Sequence, residues 1–473
     1  MNIRTSISLF LLYLLTVQIL PHLSAFAANT NAASFQSHVD QLRLWAGEVG
    51  IHIVSLETGH TVFELNSQAT FIPASLVKLF TSYAALKSLG PESRFNTSIF
   101  ALQGPVQGTV RGHLWIKGEG DIFFLLEDAS KLATQLKQLG VTTVEGSIFV
   151  DNSYFEPASL RVCLDEDCSE AYNPVISGTS LGFNSLEFHV TPGIRPRTPL
   201  HVSWTPSGDY VQIRNKGNTG PRRSVPSVSI RSIGPTREGR ESFILEGRLA
   251  LTAQSGIDRR FTVEDPASFF CRSFRAVLRD AGIEVQGTGA GERKVPPHVT
   301  VLTSHQSLPL KDLLHGLNRH SNNFMAETLL CTMGAKVFGI PGNMQKGLEV
   351  IRQFLKELDI PDDEVQLDNG SGLSRRSRAS PRAFSRILQK AYGDPLFGQP
   401  LIDSLAVNGQ MGTLCRRMSD SPFVIRGKTG TLSNVLGFAG IVSMPGNAAY
   451  AVTVILNHVQ HLPNAREATD AFL

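Results

Sequence analysis

Neither sign of charge is in appreciable excess in this 473-residue chain: 44 Lys and Arg stand against 41 Asp and Glu, a formal net charge of +3. So small an imbalance gives no global electrostatic case for nucleic acid as a partner. Long apolar runs are missing after residue 20, so no later segment is expected to span a bilayer, and 467–473 is too polar and short to anchor. None of the 13 histidines opens H-E-x-x-H, which leaves a zincin-type metallopeptidase without support. No period of the 20 to 50 residues typical of a solenoid recurs. Charged residues make up only 18% and hydrophobic ones 42%, with 41 Gly and 25 Pro spread along the chain. That balance excludes disorder and collagen-like repeats and belongs to a folded soluble protein. At roughly 150 residues per domain the length suggests about three domains.

Residues 1–27 read as a secretory signal. Arg4 lies in a short basic region, the apolar run Ile7 to Leu20 follows, and Ala25-Phe26-Ala27 offers a small-x-small cleavage site. Pro21 and His22 close the apolar run short of the roughly 18 to 20 residues a membrane span needs. The mature chain is therefore expected to be exported, periplasmic and without a transmembrane anchor. Only five cysteines are present. Export permits pairing, and Cys163 and Cys168, flanking an acidic loop, are expected to bridge. Connectivity is not fixed by sequence, and Cys331, in an apolar helical pattern, reads as a buried thiol.

Phe35, Val39, Leu42 and Trp45 recur at helical steps, Val49 to Leu65 reads as a hairpin, and a second amphipathic helix begins near Pro73. From Phe95 to about Val295 short apolar stretches cut by Gly and Pro indicate mostly β-structure, with helices expected at Ala129 to Leu139 and Pro266 to Ala281. Long helical patterns return after Pro296-Pro297, and strands follow at Phe423 to Gly427, continuing past Lys428, and at Ala448 to Leu456. This predicts one discontinuous domain, 28–94 with 296–473, carrying a large insertion over 95–295 that divides into two mainly β subdomains.

Three short motifs bear on chemistry, each weak by itself. Ser75-Leu76-Val77-Lys78 is the only S-x-x-K; a three-residue step along a helix returns to nearly the same face, so the Lys78 amine can reach the Ser75 hydroxyl. A serine needs such a base to become nucleophilic, and a lysine serves once burial or a second cation lowers its pKa. The plain alternative is a polar first turn with a solvated lysine. Ser321-Asn322-Asn323 is the only S-x-N and lies at a junction of helical patterns, where helix capping is the competing reading. Lys428-Thr429-Gly430 falls on an expected strand, and its glycine allows close approach by a ligand backbone. A phosphate loop there would need Gly at 422, which is Pro422.

In this order the three motifs resemble the set shared by penicillin-binding proteins and serine β-lactamases. The chain is similar more specifically to D-alanyl-D-alanine carboxypeptidases/endopeptidases of the penicillin-binding protein 4 (DacB) type. The 246 positions between the motif serines match that family's large insertion, and further similar stretches are Gly118 to Asp121, Val150 to Ser153, Asn322 to Glu327 and Gly370 to Ser374. The resemblance implies an α/β (α+β) transpeptidase/β-lactamase-like domain, helices on an antiparallel sheet, interrupted by mainly β insertions. It implies Ser75 as acylated nucleophile, Lys78 as general base, Ser321 as proton relay and Asn323 as a ligand of the substrate amide. Lys428 and Thr429 would hold the terminal carboxylate, and the backbone N–H groups of Ser75 and Thr431 would form the oxyanion hole. The implied partners are peptidoglycan stem peptides and, as covalent inhibitors, β-lactams; the implied cofactor and metal complement is none. A β-lactamase and a non-catalytic wall-binding protein with a relic site are the competing functions.

Asn322 stands where the second motif often has Asp, and Asn369 where the family often has Asp, so the loop after Asn369 is given no chemical role. Asp151 faces either the cleft or a turn. Gly178-Thr179-Ser180-Leu181-Gly182 matches G-x-S-x-G but is followed by strand-like alternation rather than a helix, so it reads as a glycine-rich loop. His315 and His320 read as helix-surface or packing residues. Arg375, Arg376 and Arg378 read as a solvated loop or an attractor of anionic wall polymer.

Overall fold

Alternation along the last three strands decides how the main sheet is covered. In the computed structural model, which describes residues 35–157, 168–446 and 448–473, Val435–Ser443 and Ala449–Val459 are buried almost throughout. Successive side chains of a strand point to opposite faces, so both faces must be covered. Leu436, Phe438, Val452 and Val454 pack with Val39 and Leu42 of a helix over 35–43 and with Ala465 of the helix Leu462–Phe472. Ala439, Ile441, Ala451 and Ile455 face the opposite way, toward Phe384 and Ile387 of the helix Pro381–Tyr392. That helix starts as its sequence dictates, with Ser380 Oγ accepting from the Ala383 N–H at 3.0 Å and Pro381 in the first turn.

The sheet has six antiparallel strands in the order Thr61–Leu65, Ala46–Ser55, Ala449–Val459, Val435–Ser443, Val424–Leu432 and Ala406–Val407. The expected hairpin and the two expected C-terminal strands are all present. The apolar run at Val435 is a strand of its own, joined to its predecessor through Ser433 and Asn434, with Asn434 at φ 57°.

Beneath the sheet, the helix Val77–Leu89 is buried at every position from Val77 to Leu86. A helix covered on all sides belongs at the centre of a layer. It packs against Leu310–Arg319, Asn323–Phe338, Met344–Glu357 and Pro381–Tyr392.

After Val77–Leu89 the chain leaves this sheet and the helices packed on it. Asn96–Ala101 pairs with Leu114–Gly118 and with Thr300–Gln306, so the outgoing and returning segments sit side by side in one four-stranded sheet. Helices Leu126–Gln138 and Pro266–Asp280 pack on this part of the excursion. Beyond it lie short strands in two- and three-stranded sheets between Ser185 and Thr262.

The leader expected over 1–27 and Cys163 lie outside the described residues. Cys168 is disulfide-bonded, Cys271 and Cys331 are buried free thiols, and Cys415 is an exposed one. Among the described residues no helix is long and apolar enough to cross a membrane.

Candidate active site

Ser75 occupies the short 3₁₀ turn Ala74–Leu76 that opens into Val77–Leu89, so the helix N-terminus favours negative charge at the serine. Ala74, just before it, is held at φ 49°. A left-handed conformation at a non-glycine residue costs on the order of 1 kcal/mol, so the neighbouring structure must impose it. Two glycines do so by letting backbone press close. A Cβ at Gly372, which lies at φ 78°, would fall 1.8 Å from the Ala74 carbonyl oxygen, and one at Gly430 would fall 3.3 Å from the Ser75 nitrogen. The strand Val424–Leu432 therefore passes directly beside the serine's own N–H, bringing Thr431 to the cleft.

Lys78 is entirely buried while Ser75 is partly exposed. Its Nζ lies 2.9 Å from Ser75 Oγ, 2.8 Å from Asn323 Oδ1 and 2.7 Å from the Ser371 carbonyl oxygen. Asn323 Nδ2 donates to the Tyr172 carbonyl at 2.9 Å, which fixes the amide so that its oxygen faces the lysine. Burial lowers the Lys78 pKa to about 7, against an opposing pull from Glu327. A neutral amine has two N–H bonds and one lone pair. Asn323 Oδ1 and the Ser371 carbonyl are acceptors only, so they take the two N–H bonds and leave the lone pair for the Ser75 hydroxyl proton. That is the geometry a general base requires.

Glu327 positions this arrangement from below. Its buried carboxyl accepts from the N–H groups of Gly370, at 3.1 Å, and Ser371, at 2.8 Å, pinning the loop whose Ser371 carbonyl meets Lys78. Burial raises its pKa, opposed by those hydrogen bonds and by Lys78. Asn369 has a structural part in the same loop, accepting from Gly372 N–H at 3.1 Å and donating to Ser371 Oγ at 3.2 Å.

The second motif combines both of its readings. Asn322 is the cap of Asn323–Phe338, its side chain accepting from Met325 N–H at 3.0 Å, while Ser321, at φ 56°, and Asn323 face the site. Lys428 Nζ donates to Ser321 Oγ at 2.9 Å and to the Thr429 carbonyl at 2.8 Å. Lys428 is fully buried, and burial followed by repulsion from Lys78 holds its pKa well below the ordinary lysine value. Thr429 Oγ1 donates to Thr413 Oγ1 at 2.8 Å. The seven sequence-predicted residues are thus drawn together from three distant segments. Above them opens a cavity of about 420 Å³ lined by Ser75, Tyr172, Asn323, Leu373, Arg375 and Thr431 among others.

Glu327, Ser371, Thr413 and Tyr172 were not assigned from the sequence. Arg375 is more than a solvated loop residue: it lines the cavity and donates to Asn434 Oδ1 at 3.1 Å and the Ser433 carbonyl at 2.9 Å. Asp151 is a turn residue, its two oxygens accepting from Ser153 and Val295 N–H, each at 2.9 Å. Ser180 is buried, 3.1 Å from Ser177 Oγ, with a strand and not a long helix after it.

A serine served by a buried, deprotonatable lysine beside a second Ser/Lys pair is the apparatus of a serine acyl-transfer enzyme. The chain belongs to the D-Ala-D-Ala carboxypeptidase 3 (S13) family, whose sequence model matches residues 31–473, and it is thereby a serine DD-peptidase. It is 29% identical over 424 residues to the D-alanyl-D-alanine carboxypeptidase of Actinomadura sp. strain R39, covering 85% of this chain and 77% of that one. The fold is similar to that of penicillin binding protein 4 (dacB) from Haemophilus influenzae, with a TM-score of 0.75, 20% identity, and coverage of 90% of this chain and 94% of that chain. It is also similar to the same protein complexed with a novel β-lactam, with a TM-score of 0.72, 21% identity, and coverage of 90% and 93%.

Proposed function

We propose that the protein is an exported, periplasmic enzyme that cleaves D-alanyl bonds of peptidoglycan stem peptides, as carboxypeptidase and endopeptidase, through an acyl-enzyme on Ser75. The observation that carries this reading is the Lys78 amine between two obligate acceptors and the Ser75 hydroxyl. In the first half-reaction Ser75 Oγ attacks the carbonyl carbon of the penultimate D-alanine and its proton passes to Lys78 Nζ. The N–H groups of Ser75 and Thr431 receive the oxyanion. Collapse breaks the C–N bond, and the leaving amine takes the Lys78 proton, relayed through Ser321 Oγ, which leaves Lys78 neutral again. Water then attacks the ester, giving a proton to Lys78, and collapse breaks the C–Oγ bond as Lys78 returns that proton to Ser75 Oγ, releasing the acid product and the free serine. A β-lactam enters the first half-reaction the same way, and its acyl-enzyme persists.

The terminal carboxylate is assigned to Lys428 and Thr429. A substrate carboxylate beside Lys428 supplies the counter-charge that this buried amine lacks, so binding and protonation of Lys428 reinforce each other. Amidating that carboxylate is expected to lower kcat/KM by about 10²-fold with a defined muropeptide, products being identified by mass spectrometry. Lys428→Ala is expected to lose a similar factor with the free acid and little more with the amide, because both changes delete one contact. Fully additive losses would instead assign Lys428 to tuning Lys78.

The base also predicts a pH limb. Only unprotonated Lys78 accepts the serine proton, and its pKa lies at about 7. Acylation by a penicillin is expected to plateau at alkaline pH and to fall about tenfold per pH unit below 7. A rate constant that stays flat between pH 5 and 9 would remove Lys78 as the base.

A further inference from the structure

A second, larger cavity of about 840 Å³ lies in the excursion, far along the chain from the motifs that build the active site. Its walls are the helix Pro266–Asp280, the segment Gly282 to Val285 that follows it, Thr142, and the turn at Gly208 and Asp209. It therefore sits at a seam between two parts of the excursion, a usual place for a ligand site. Arg272, Arg275 and Arg279, three and four residues apart, share one face of the helix and line the cavity.

These arginines are not fully satisfied by the protein. Arg272 is only 7% exposed; it donates to Asp209 Oδ2 at 2.7 Å and to the Glu238 carbonyl at 2.5 Å, while its Nε has no acceptor. Arg275 donates to the carbonyls of Gly287 and Gly289 at 2.9 and 3.0 Å, and its Nε is likewise buried without an acceptor. Arg279 points to solvent, 3.4 Å from Asp280. Asp209 is shared, since Arg240 also lies 3.8 Å away from it, and Glu284 is the one other acidic residue on the wall. Burial lowers the Arg275 pKa, opposed by the nearby Asp209 carboxylate and aided, more weakly, by Arg272. The two buried Nε atoms are closed to solvent and are not themselves offered to a ligand; what the cavity presents is three guanidinium groups against two carboxylates, and a guanidinium fork matches the geometry of a carboxylate or phosphate.

We propose that this cavity is a second binding site, for a carboxylate or phosphate group carried on the cell-wall polymer. That the polymer is the wall rests on the function proposed above; that the ligand is an oxyanion rests on the arginines alone. Held there, one part of the polymer raises the effective concentration of its stem peptides at Ser75 without adding any contact in the catalytic cleft.

The test is co-sedimentation of the full chain carrying Ser75→Ala with insoluble peptidoglycan, with and without Arg275→Gln and Arg279→Gln; Arg272 is left intact because of its burial. The double substitution is expected to weaken binding about tenfold, and inorganic phosphate is expected to compete with the parent protein but not with the variant. Carbodiimide amidation removes the polymer's carboxylates and hydrofluoric acid its phosphates, so the treatment that erases the difference names the source. Equal binding by the two proteins overturns the proposal, as does a difference that survives both treatments. With Ser75 restored, the double variant should be labelled by a fluorescent penicillin like wild type, and loss of labelling together with binding would also overturn it. If wild type is never labelled yet arginine-dependent binding persists, the catalytic assignment fails and this site stands.

Discussion

Ser75→Ala is expected to abolish covalent labelling by a fluorescent penicillin and to lower kcat/KM on a D-alanyl-D-alanine peptide by more than roughly 10⁴-fold. The serine hydroxyl is the single group within reach of the Lys78 lone pair, and its backbone N–H stays in place when the side chain is shortened. The turn that carries Ser75 is held by contacts that do not involve its Oγ: the Ala74 carbonyl against Gly372, and Pro73 and Ala74 against Gly430. Losing one hydroxyl should therefore leave the melting temperature within a few degrees of wild type, since surface-accessible polar truncations shift stability by about 0.5 kcal/mol. Labelling of that variant at the wild-type level would remove Ser75 from the mechanism. If wild type is labelled but sheds the label rapidly, it behaves as a β-lactamase.

Lys78→Arg is expected to be almost as damaging, with acylation lowered by about 10³-fold, because guanidinium stays protonated and cannot take the serine proton. The site makes this substitution doubly unfavourable. Lys78 has no exposure to solvent and its pKa is already lowered to about 7 by burial. A permanent cation there would have only Glu327 as a nearby opposite charge and Lys428 as a nearby like one. Lys78→Met separates the two effects: it removes the base without forcing a charge into the interior. Both variants should lose acylation, and the methionine variant should retain the wild-type melting temperature better. Substantial acylation by a folded Lys78→Met protein would show that another group accepts the proton.

The motifs were legible because their spacing follows helix geometry: the three-residue step from Ser75 to Lys78 closes to 2.9 Å. The order of the three motifs and the long gap between the first two carried the family, and the alternating and helical patterns carried most of the elements on both sides of the insertion. The helix Pro381–Tyr392 also had its signal, a Ser-Pro start followed by apolar residues at helical steps. What sequence did not reveal are groups whose roles depend on long-range contacts. Glu327 stands in an apolar helix, and nothing local distinguishes a carboxylate that clamps a loop 43 and 44 positions away from one that faces water. Tyr172 acts through its backbone carbonyl, which any residue would supply, so its identity holds no clue. Thr413 is a hydroxyl in a turn, visible only once Thr429 is beside it.

The contacts of the Lys78 amine also bear on how the chain reaches its native state. Its partners Asn323 and Ser371 are 245 and 293 positions away, with the whole excursion intervening in sequence. Closing so long a loop has an entropic cost that grows only slowly with length, yet it must be met before either of these two contacts can form. The return path eases this, since Thr300–Gln306 pairs with Asn96–Ala101 and so brings the segments before and after the excursion to a common doorway. An excursion that has folded replaces roughly two hundred residues of loose chain with a short bridge. Lys78 gains its burial and its two acceptors only after that bridge and the segments on both sides of it are assembled, so on the proposed mechanism the appearance of penicillin-reactive Ser75 during refolding marks that assembly and not the formation of one helix.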